Sequence, residues 1–240
     1  MSESDRDFRP VVNAGTVAGS ASSMGTAEPM GSAVNPQSDP PGEPASFAFD
    51  AASDAEIESI LKKYPPSRRA SGVLPVLYVA QGQMGRVTGS AWVPRVAMDA
   101  IAVRLGMAPI RVYEVATFYL MFNMKPIGRY HLQVCGTTPC WLRGSDDITR
   151  ACRDETGIKG WRDTSADGLF TMTEVECLGA CVNAPILQVD DDYYEDLDYE
   201  RTRTLLQALR RGERPKPGSV IGRETSAPEG GRTTLVEVVE

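Results

Sequence analysis

Apolar residues recur every three to four positions between residues 53 and 123, which is the spacing of helices that bury one face. The first predicted helix follows Ser53, a residue type that is favoured as an N-cap. Its apolar positions are Ile57, Ile60, Leu61 and Tyr64. Three further helices are predicted at 73–81, 92–105 and 112–122, and Gly82 and Gly106 are expected to end the second and third. The segment 53–127 is therefore predicted to be a small helical bundle.

The pattern changes to the alternation of a strand at Tyr130, after which strands are also predicted at 169–175, 186–189 and 193–197. Helices are predicted at 145–156 and from Asp198 to Gly212. The order β-α-β-β-β-α contains one right-handed crossover, which makes the first two strands parallel. This order is compatible with a thioredoxin-like domain at 128–212. The predicted fold class is therefore α+β, with an N-terminal helical bundle followed by a thioredoxin-like α/β domain.

The two ends of the chain have few core-forming residues. Residues 1–50 contain no Leu and no Ile, and 26 of them are Gly, Ala, Ser or Pro. Such a segment cannot bury enough apolar surface to offset its ordering entropy, so 1–52 is predicted to be a disordered arm. The segment 213–240 is rich in Pro and Gly and is predicted to lack regular structure.

Charge and composition exclude several classes of function. The formal net charge of −7 argues against nucleic acid or an anionic membrane surface as the main partner. No apolar run approaches the roughly 20 residues of a membrane span, and the first residues fit neither a secretory signal nor a transit peptide. We therefore expect a soluble, cytosolic protein with reduced cysteines.

Four of the five cysteines form two pairs, Cys135 with Cys140 and Cys177 with Cys181. Each pair follows one of the two strands that are predicted to be parallel, so both pairs should lie at the same edge of the sheet. The donor set fits a metal site with four thiolate ligands. Structural zinc remains open as an alternative to a [2Fe–2S] cluster, because the spacing alone does not separate them. Disulfides are disfavoured in a reducing compartment, and the C-x-x-C of a redox dithiol is absent.

Two other residues with metal-binding side chains have a structural interpretation. Cys152 shares a helical face with Ile148 and is predicted to be a buried core residue. His131 alternates with apolar neighbours and is predicted to line a strand face, and as the single His it cannot make a Rieske centre.

The segments YHLQVCGTTPCWLRG (130–144) and TEVECLGACVNAP (173–185) resemble the E-type, or 24 kDa, [2Fe–2S] subunit of respiratory complex I, an NADH:quinone oxidoreductase. The resemblance extends from about Ser53 to the C-terminus. It implies that one [2Fe–2S] cluster is bound by Cys135, Cys140, Cys177 and Cys181. Thioredoxin-like folds often hold a cis proline where Pro185 opens a strand, so a cis Ala184–Pro185 bond is a hypothesis.

The resemblance also implies partners. It places FMN and NADH on a partner subunit, with the large iron–sulfur subunit of the same arm as a second neighbour. The chain has no G-x-G-x-x-G motif, which agrees with hydride chemistry on a partner. The expected function is electron transfer in the NADH-oxidising module, peripheral to the cytoplasmic face of the inner membrane. The tail 213–240 would lie extended on a neighbouring subunit.

Other functions remain open at this stage. An equivalent diaphorase subunit of an NAD-reducing hydrogenase or NAD-dependent formate dehydrogenase would have a similar sequence. A free-standing ferredoxin-like carrier and a zinc-stabilised interaction module are further alternatives. Residues 190–200 contain seven acids, which we interpret as solvated surface that could also lower a cluster's potential if it lies nearby.

Overall fold

A computed structural model describes residues 42–228, 230–231 and 234 of the chain. Of the predicted disordered arm (residues 1–52), residues 1–41 lie outside the described residues. The remaining part, 42–52, is ordered, because Phe47 and Phe49 pack against the core of the bundle. The boundary predicted at residue 52 is therefore wrong, since the folded part already includes these two aromatic rings.

The helical bundle consists of α1 (Ala51–Leu61), α2 (Val73–Thr88), α3 (Arg95–Leu105) and α4 (Pro109–Phe118), with a 3-10 helix at Pro66–Gly72. The N-cap of α1 is Asp50 and not Ser53, because the Asp50 carboxylate accepts a hydrogen bond of 2.7 Å from the Ser53 N–H. Both residue types cap helices well, and the prediction of Ser53 placed the start of the helix three residues too late.

The second helix continues past the glycine that was expected to end it. Gly82 lies inside α2, and the glycine that ends the helix in the left-handed conformation is Gly89, with φ 77°. Gly106 ends α3 with φ 65°, as predicted.

The fourth helix begins and ends earlier than expected, since Pro109 occupies its first turn. The bundle core is built from Ile57, Leu61, Val76, Leu77, Val93, Ile101, Leu105 and Val112.

The second half of the chain forms a six-stranded sheet with the order β2-β3-β1-β4-β5-β6. Its strands are β1 (Tyr130–Cys135), β2 (Asp163–Thr164), β3 (Phe170–Val175), β4 (Leu187–Val189), β5 (Asp192–Glu195) and β6 (Gly218–Ser219). Strands β1 and β3 are parallel, as the crossover predicted. The pairs β1 with β4, β4 with β5 and β2 with β3 are antiparallel, and β5 with β6 is parallel.

Three helices accompany the sheet: a short α5 (Thr138–Leu142), α6 (Ser145–Thr156) and α7 (Tyr199–Arg210). Helices α6 and α7 pack against each other, and their apolar residues share a second core with β1 and β3. Cys152 is fully buried in this core, so its predicted structural role is confirmed.

The segment after α7 belongs to this domain. The prediction that residues 213–240 lack regular structure is wrong for β6, which pairs with β5. The domain boundary predicted at residue 212 is therefore too early. The peptide bond between Ala184 and Pro185 is cis, as hypothesised. No helix among the described residues is both long and apolar enough to cross a bilayer.

Candidate metal centre

The parallel pairing of β1 and β3 brings the two cysteine pairs to one edge of the sheet. Cys135 ends β1 and is in register with Val175, the last residue of β3. Cys177 follows two residues later. The first cysteine loop (residues 135–140) and the second cysteine loop (residues 177–181) therefore leave the sheet side by side, as predicted from the crossover.

The two cysteines of the first loop lie in the protein interior, while Gly136 and Thr138 between them are exposed. Cys135 and Cys140 are both buried, and they pack with Ala184 and Ile186 in a small apolar cluster. The Thr137 hydroxyl oxygen lies 3.3 Å from the Cys135 sulfur. Core packing therefore fixes this pair of sulfurs.

The second cysteine loop lies at the surface. Cys177 is exposed and Cys181, at the start of a 3-10 helix (Cys181–Asn183), is partly exposed. Their sulfurs are 3.3 Å apart, and both are free thiols. Gly179 lies between them with φ 85°, in the left-handed region that glycine adopts most readily. The loop can thus reverse direction and present both sulfurs together.

The electrostatics of the thiols link the two loops. The backbone N–H of Leu178, in the second loop, acts to lower the pKa of Cys135 in the first. The Thr137 hydroxyl, 3.3 Å from the Cys135 sulfur, acts to lower the pKa of both Cys135 and Cys177. Cys135 in turn raises the pKa of Cys140. The four predicted site residues therefore influence one another.

Each pair contains one thiol that ionises more easily than its partner. Burial raises the pKa of Cys135, but hydrogen bonds from the Thr137 hydroxyl and the Leu178 N–H outweigh burial, and the pKa lies below its ordinary value. Burial and the neighbouring Cys135 raise the pKa of Cys140 to about 12. The Cys181 thiol lowers the pKa of Cys177, and Cys177 in turn raises that of Cys181. The lowered pKa values of Cys135 and Cys177 favour their thiolate forms, which are the forms that bind metal.

This donor set fits a binuclear iron–sulfur cluster. Among the described residues, no group of three or more His, Cys, Asp or Glu side chains converges on a point that would hold a single metal ion. The sulfurs come as two pairs instead. Four cysteine sulfurs held as two pairs fit a [2Fe–2S] cluster, and this donor set by itself also fits one tetrahedral zinc. Backbone N–H groups near the sulfurs, such as that of Leu178, are a further feature of such clusters.

His131 takes no part in the cysteine group. It is buried on β1, and its Nε2 lies 2.8 Å from the Thr173 hydroxyl oxygen. Burial lowers its pKa from 6.5 to about 4, so the ring is neutral at pH 7. The predicted position on a strand face is confirmed.

Sequence reasoning missed Glu174 and the cleft beside the first loop. The Oε1 atom of Glu174 lies 2.7 Å from the position that a Cβ would take at Gly136, so this carboxylate lies against the backbone next to Cys135. The cleft has a volume of about 390 Å³. Its lining residues are Leu120, Gly136, Thr137, Thr138, Glu174, Val175 and Glu176. Glu174 and Glu176 lie on alternate positions before Cys177, which is the signal that could have revealed them.

The acidic segment 190–200 is engaged in specific contacts. Arg214 binds Asp190 at 3.0 Å and Asp192 at 3.6 Å. Asp196 is buried and paired with Arg223. The interpretation as solvated surface is therefore wrong for Asp196. Its carboxylate is buried because it pairs with Arg223, which is distant in the sequence and which the local pattern does not reveal.

The model of the thioredoxin-like [2Fe–2S] ferredoxin family matches residues 57–210. The chain belongs to this family. The predicted thioredoxin-like fold and the single [2Fe–2S] cluster are thereby confirmed.

Relatives within this ferredoxin family are similar over most of their length. The E subunit of NADH-quinone oxidoreductase from Rickettsia bellii (strain RML369-C) is 50% identical over 164 residues, which cover 68% of this chain and 95% of the relative. The protein of the same name from Rickettsia felis (strain ATCC VR-1525 / URRWXCal2) is 51% identical over 160 residues, or 67% of this chain and 92% of the relative.

A solved structure shares the fold at low sequence identity. A chain of an NAD+-reducing [NiFe]-hydrogenase in its air-oxidised state aligns with a TM-score of 0.50 and 18% identity. The alignment covers 59% of this chain and 23% of the hydrogenase chain. This likeness extends to the fold alone.

Proposed function

We propose that the chain is the electron-transfer subunit of the NADH-oxidising module of a respiratory NADH–quinone oxidoreductase, with its [2Fe–2S] cluster bound by Cys135, Cys140, Cys177 and Cys181. The observation that carries this proposal is the meeting of the two cysteine pairs at one edge of the sheet. The identity of about 50% with the two Rickettsia relatives, over more than nine tenths of their length, supports the choice of complex.

When bound, the cluster supplies one-electron chemistry. The residues of this chain adjust how readily an electron is accepted. The Leu178 N–H and the Thr137 hydroxyl act to lower the pKa of Cys135, so they stabilise negative charge on its sulfur and would favour the reduced state of the cluster. The Glu174 carboxylate beside Gly136 has the opposite effect, because it repels added negative charge.

The hydride chemistry is assigned to a partner subunit that binds FMN and NADH. Three large apolar side chains next to the ligands support a protein partner at this edge. Trp141 and Leu142 follow Cys140 and are 58% and 70% exposed, and Val182 follows Cys181 and is 64% exposed. A protein that docks over the two cysteine loops would cover these exposed apolar side chains. We place the large iron–sulfur subunit of the same arm, and a peripheral position at the cytoplasmic face of the inner membrane, in the same proposal.

The diaphorase subunit of a hydrogenase or formate dehydrogenase is less well supported. The hydrogenase likeness is 18% in sequence, against about 50% for the NADH-quinone oxidoreductase relatives. A free-standing carrier would not need the four helices of the bundle, α1 to α4, which add a second core beside the sheet.

Metal analysis and paramagnetic resonance test the proposal. We expect anaerobically purified protein to contain iron and labile sulfide and to give a paramagnetic signal on reduction. Cys140→Ser and Cys177→Ser should lose or reshape that signal, whereas Cys152→Ala, which changes a core cysteine outside the group, should keep it. Colourless protein with zinc would refute the cluster. Co-purification without a flavoprotein would refute the choice of complex.

A further inference from the structure

The chain after α7 returns to the sheet and then runs to the second cysteine loop. Gly218 and Ser219 pair with Tyr194 and Glu195 of β5. The Val220 N–H also donates to the Glu195 carbonyl at 3.1 Å. We call residues 218–227 the C-terminal strap.

Arg223 fastens the strap by a buried ion pair with Asp196. The two side chains are only 8% and 4% exposed. The guanidinium donates to both carboxylate oxygens, from Nε at 3.1 Å and from Nη2 at 2.5 Å. The Ser219 hydroxyl donates to the same carboxylate at 2.6 Å. A bidentate Arg–carboxylate pair of this kind fixes the orientation of both groups.

The same guanidinium also contacts the second cysteine loop. Its Nη2 donates to the Val182 carbonyl at 3.0 Å, and Val182 is the residue directly after Cys181. Its Nη1 donates to the Ala227 carbonyl at 3.0 Å, which closes the strap on itself. Arg223 therefore joins three parts of the chain: the strap, the residue that follows β5, and the turn that carries Cys181.

Asn183 makes a second connection between the turn and the strap. Its side-chain amide donates to the Thr225 carbonyl at 2.7 Å and to the Glu195 carboxylate at 2.6 Å. The backbone carbonyl of Asn183 accepts a hydrogen bond from the Asp196 N–H at 2.7 Å. Asn183 is buried, so these bonds are shielded from water.

Two residues of this network have strained backbones. Thr225 has φ 52° and Asp196 has φ 56°, in the left-handed region that residues with a Cβ avoid, β-branched residues most of all. Such conformations persist where surrounding contacts hold them. Thr225 presents its carbonyl to Asn183, and Asp196 presents its carboxylate to Arg223. The strain therefore lies at the two points where the strap is fastened.

We propose that the C-terminal strap positions Cys181 for cluster binding, with Arg223 as the positioning residue; the inference rests on the proposed function, in which Cys181 is a ligand. Core packing fixes Cys135 and Cys140. In the second loop Leu178 and Ala180 are partly buried against the same cluster, but Cys177 is exposed and Cys181 is partly exposed. Arg223 and Asn183 hold the turn Cys181–Asn183 in place by hydrogen bonds that join it to the strap. The strap is thus a support for the exposed half of the ligand set.

The test compares Arg223→Met with Arg211→Met in the full chain. Arg211 lies in the same part of the chain but makes an exposed ion pair with Glu213, so its variant controls for loss of a positive charge. We expect Arg223→Met to lose iron to a ferrous chelator about 10-fold faster than the unchanged protein, with a broadened resonance signal, because mutations of outer contacts weaken metal sites to this extent. The Arg211→Met protein should match the unchanged protein. Equal rates of iron loss for folded Arg223→Met would overturn the proposal.

Two further measurements keep the test decisive. If Arg223→Met does not fold, Arg223→Lys keeps the charge but cannot reach Asp196 and Val182 together, so faster iron loss supports the strap and an unchanged rate refutes it. Amide exchange of the apoprotein needs no cluster. Faster exchange at Asn183 and Ala184 in the variant is expected, since these N–H groups bond within the turn. If the unchanged protein bound no iron, the proposed function would fail, and the exchange data would still decide whether the strap holds the turn.

Discussion

The replacement Gly128→Ala tests how closely the chain entering β1 approaches β3. A Cβ at residue 128 would lie 2.8 Å from the carbonyl carbon of Phe170 and 2.9 Å from that of Leu169. Both are backbone atoms, which cannot rotate away as a side chain would. Ordinary contact begins at 3.4 Å, so the two segments must separate by about 0.6 Å.

The separation weakens hydrogen bonds at the start of the parallel pair. The Gly128 N–H donates to the Thr171 hydroxyl at 2.7 Å, and the Tyr130 N–H donates to the Leu169 carbonyl at 2.9 Å. Overpacking costs about 1–3 kcal/mol, and the two weakened hydrogen bonds together cost about 1 kcal/mol. We therefore expect the free energy of unfolding to fall by about 2–4 kcal/mol.

Urea unfolding of the full chain measures this loss. With a slope of about 2 kcal/mol per molar urea, the midpoint should fall by about 1–2 M. Gly82→Ala is the matched control, because Gly82 lies inside α2 and its added Cβ would meet only the Arg86 side chain, at 3.6 Å. That variant should be about 0.5–1 kcal/mol more stable. If the two variants shifted the midpoint in the same direction, the argument from backbone contact would be refuted.

Three further predictions concern pH, a helix cap and the reduction potential. Burial lowers the pKa of His131 from 6.5 to about 4. Between pH 6.5 and pH 4 the unfolded chain therefore binds a proton on His131 that the folded chain does not bind. The free energy of unfolding should thus fall by about 2 kcal/mol from pH 7 to pH 5. Urea titrations of His131→Gln should lack this part of the fall; an unchanged slope would contradict it. Asp50→Ala should lower the midpoint of thermal unfolding, whereas Asp50→Asn should largely keep it, and equal losses would show that no cap is involved. Glu174→Gln should raise the reduction potential measured by redox titration, and the exposed Glu200→Gln should not; equal potentials would exclude an effect of Glu174.

Local signals in the sequence were sufficient for the elements around the cysteines. The helix predicted at 145–156 has these bounds in the structure, because Asp146 and Asp147 favour its first turn and Gly157 ends it with φ 73°. The predicted parallel pairing followed from one crossover, and it placed Cys135 and Cys177 at the same edge. The arrangement of the cysteine pairs was therefore accessible from spacing and handedness.

Features that depend on residues distant in the sequence could not be predicted from local patterns. Gly82 looked like a helix end, but packing of buried neighbours such as Leu77 and Met84 carries α2 through it. Residues 213–228 looked unstructured, because their order depends on the pairing of Arg223 with Asp196, 27 positions away. No local pattern distinguishes that arginine from the others in the segment.

The two outermost strands of the sheet are only two residues long, β2 at Asp163–Thr164 and β6 at Gly218–Ser219. Short margins of this kind leave few unpaired backbone groups in a row for another chain to add to. Before it joins other subunits, this chain would thus have little tendency to aggregate by strand addition.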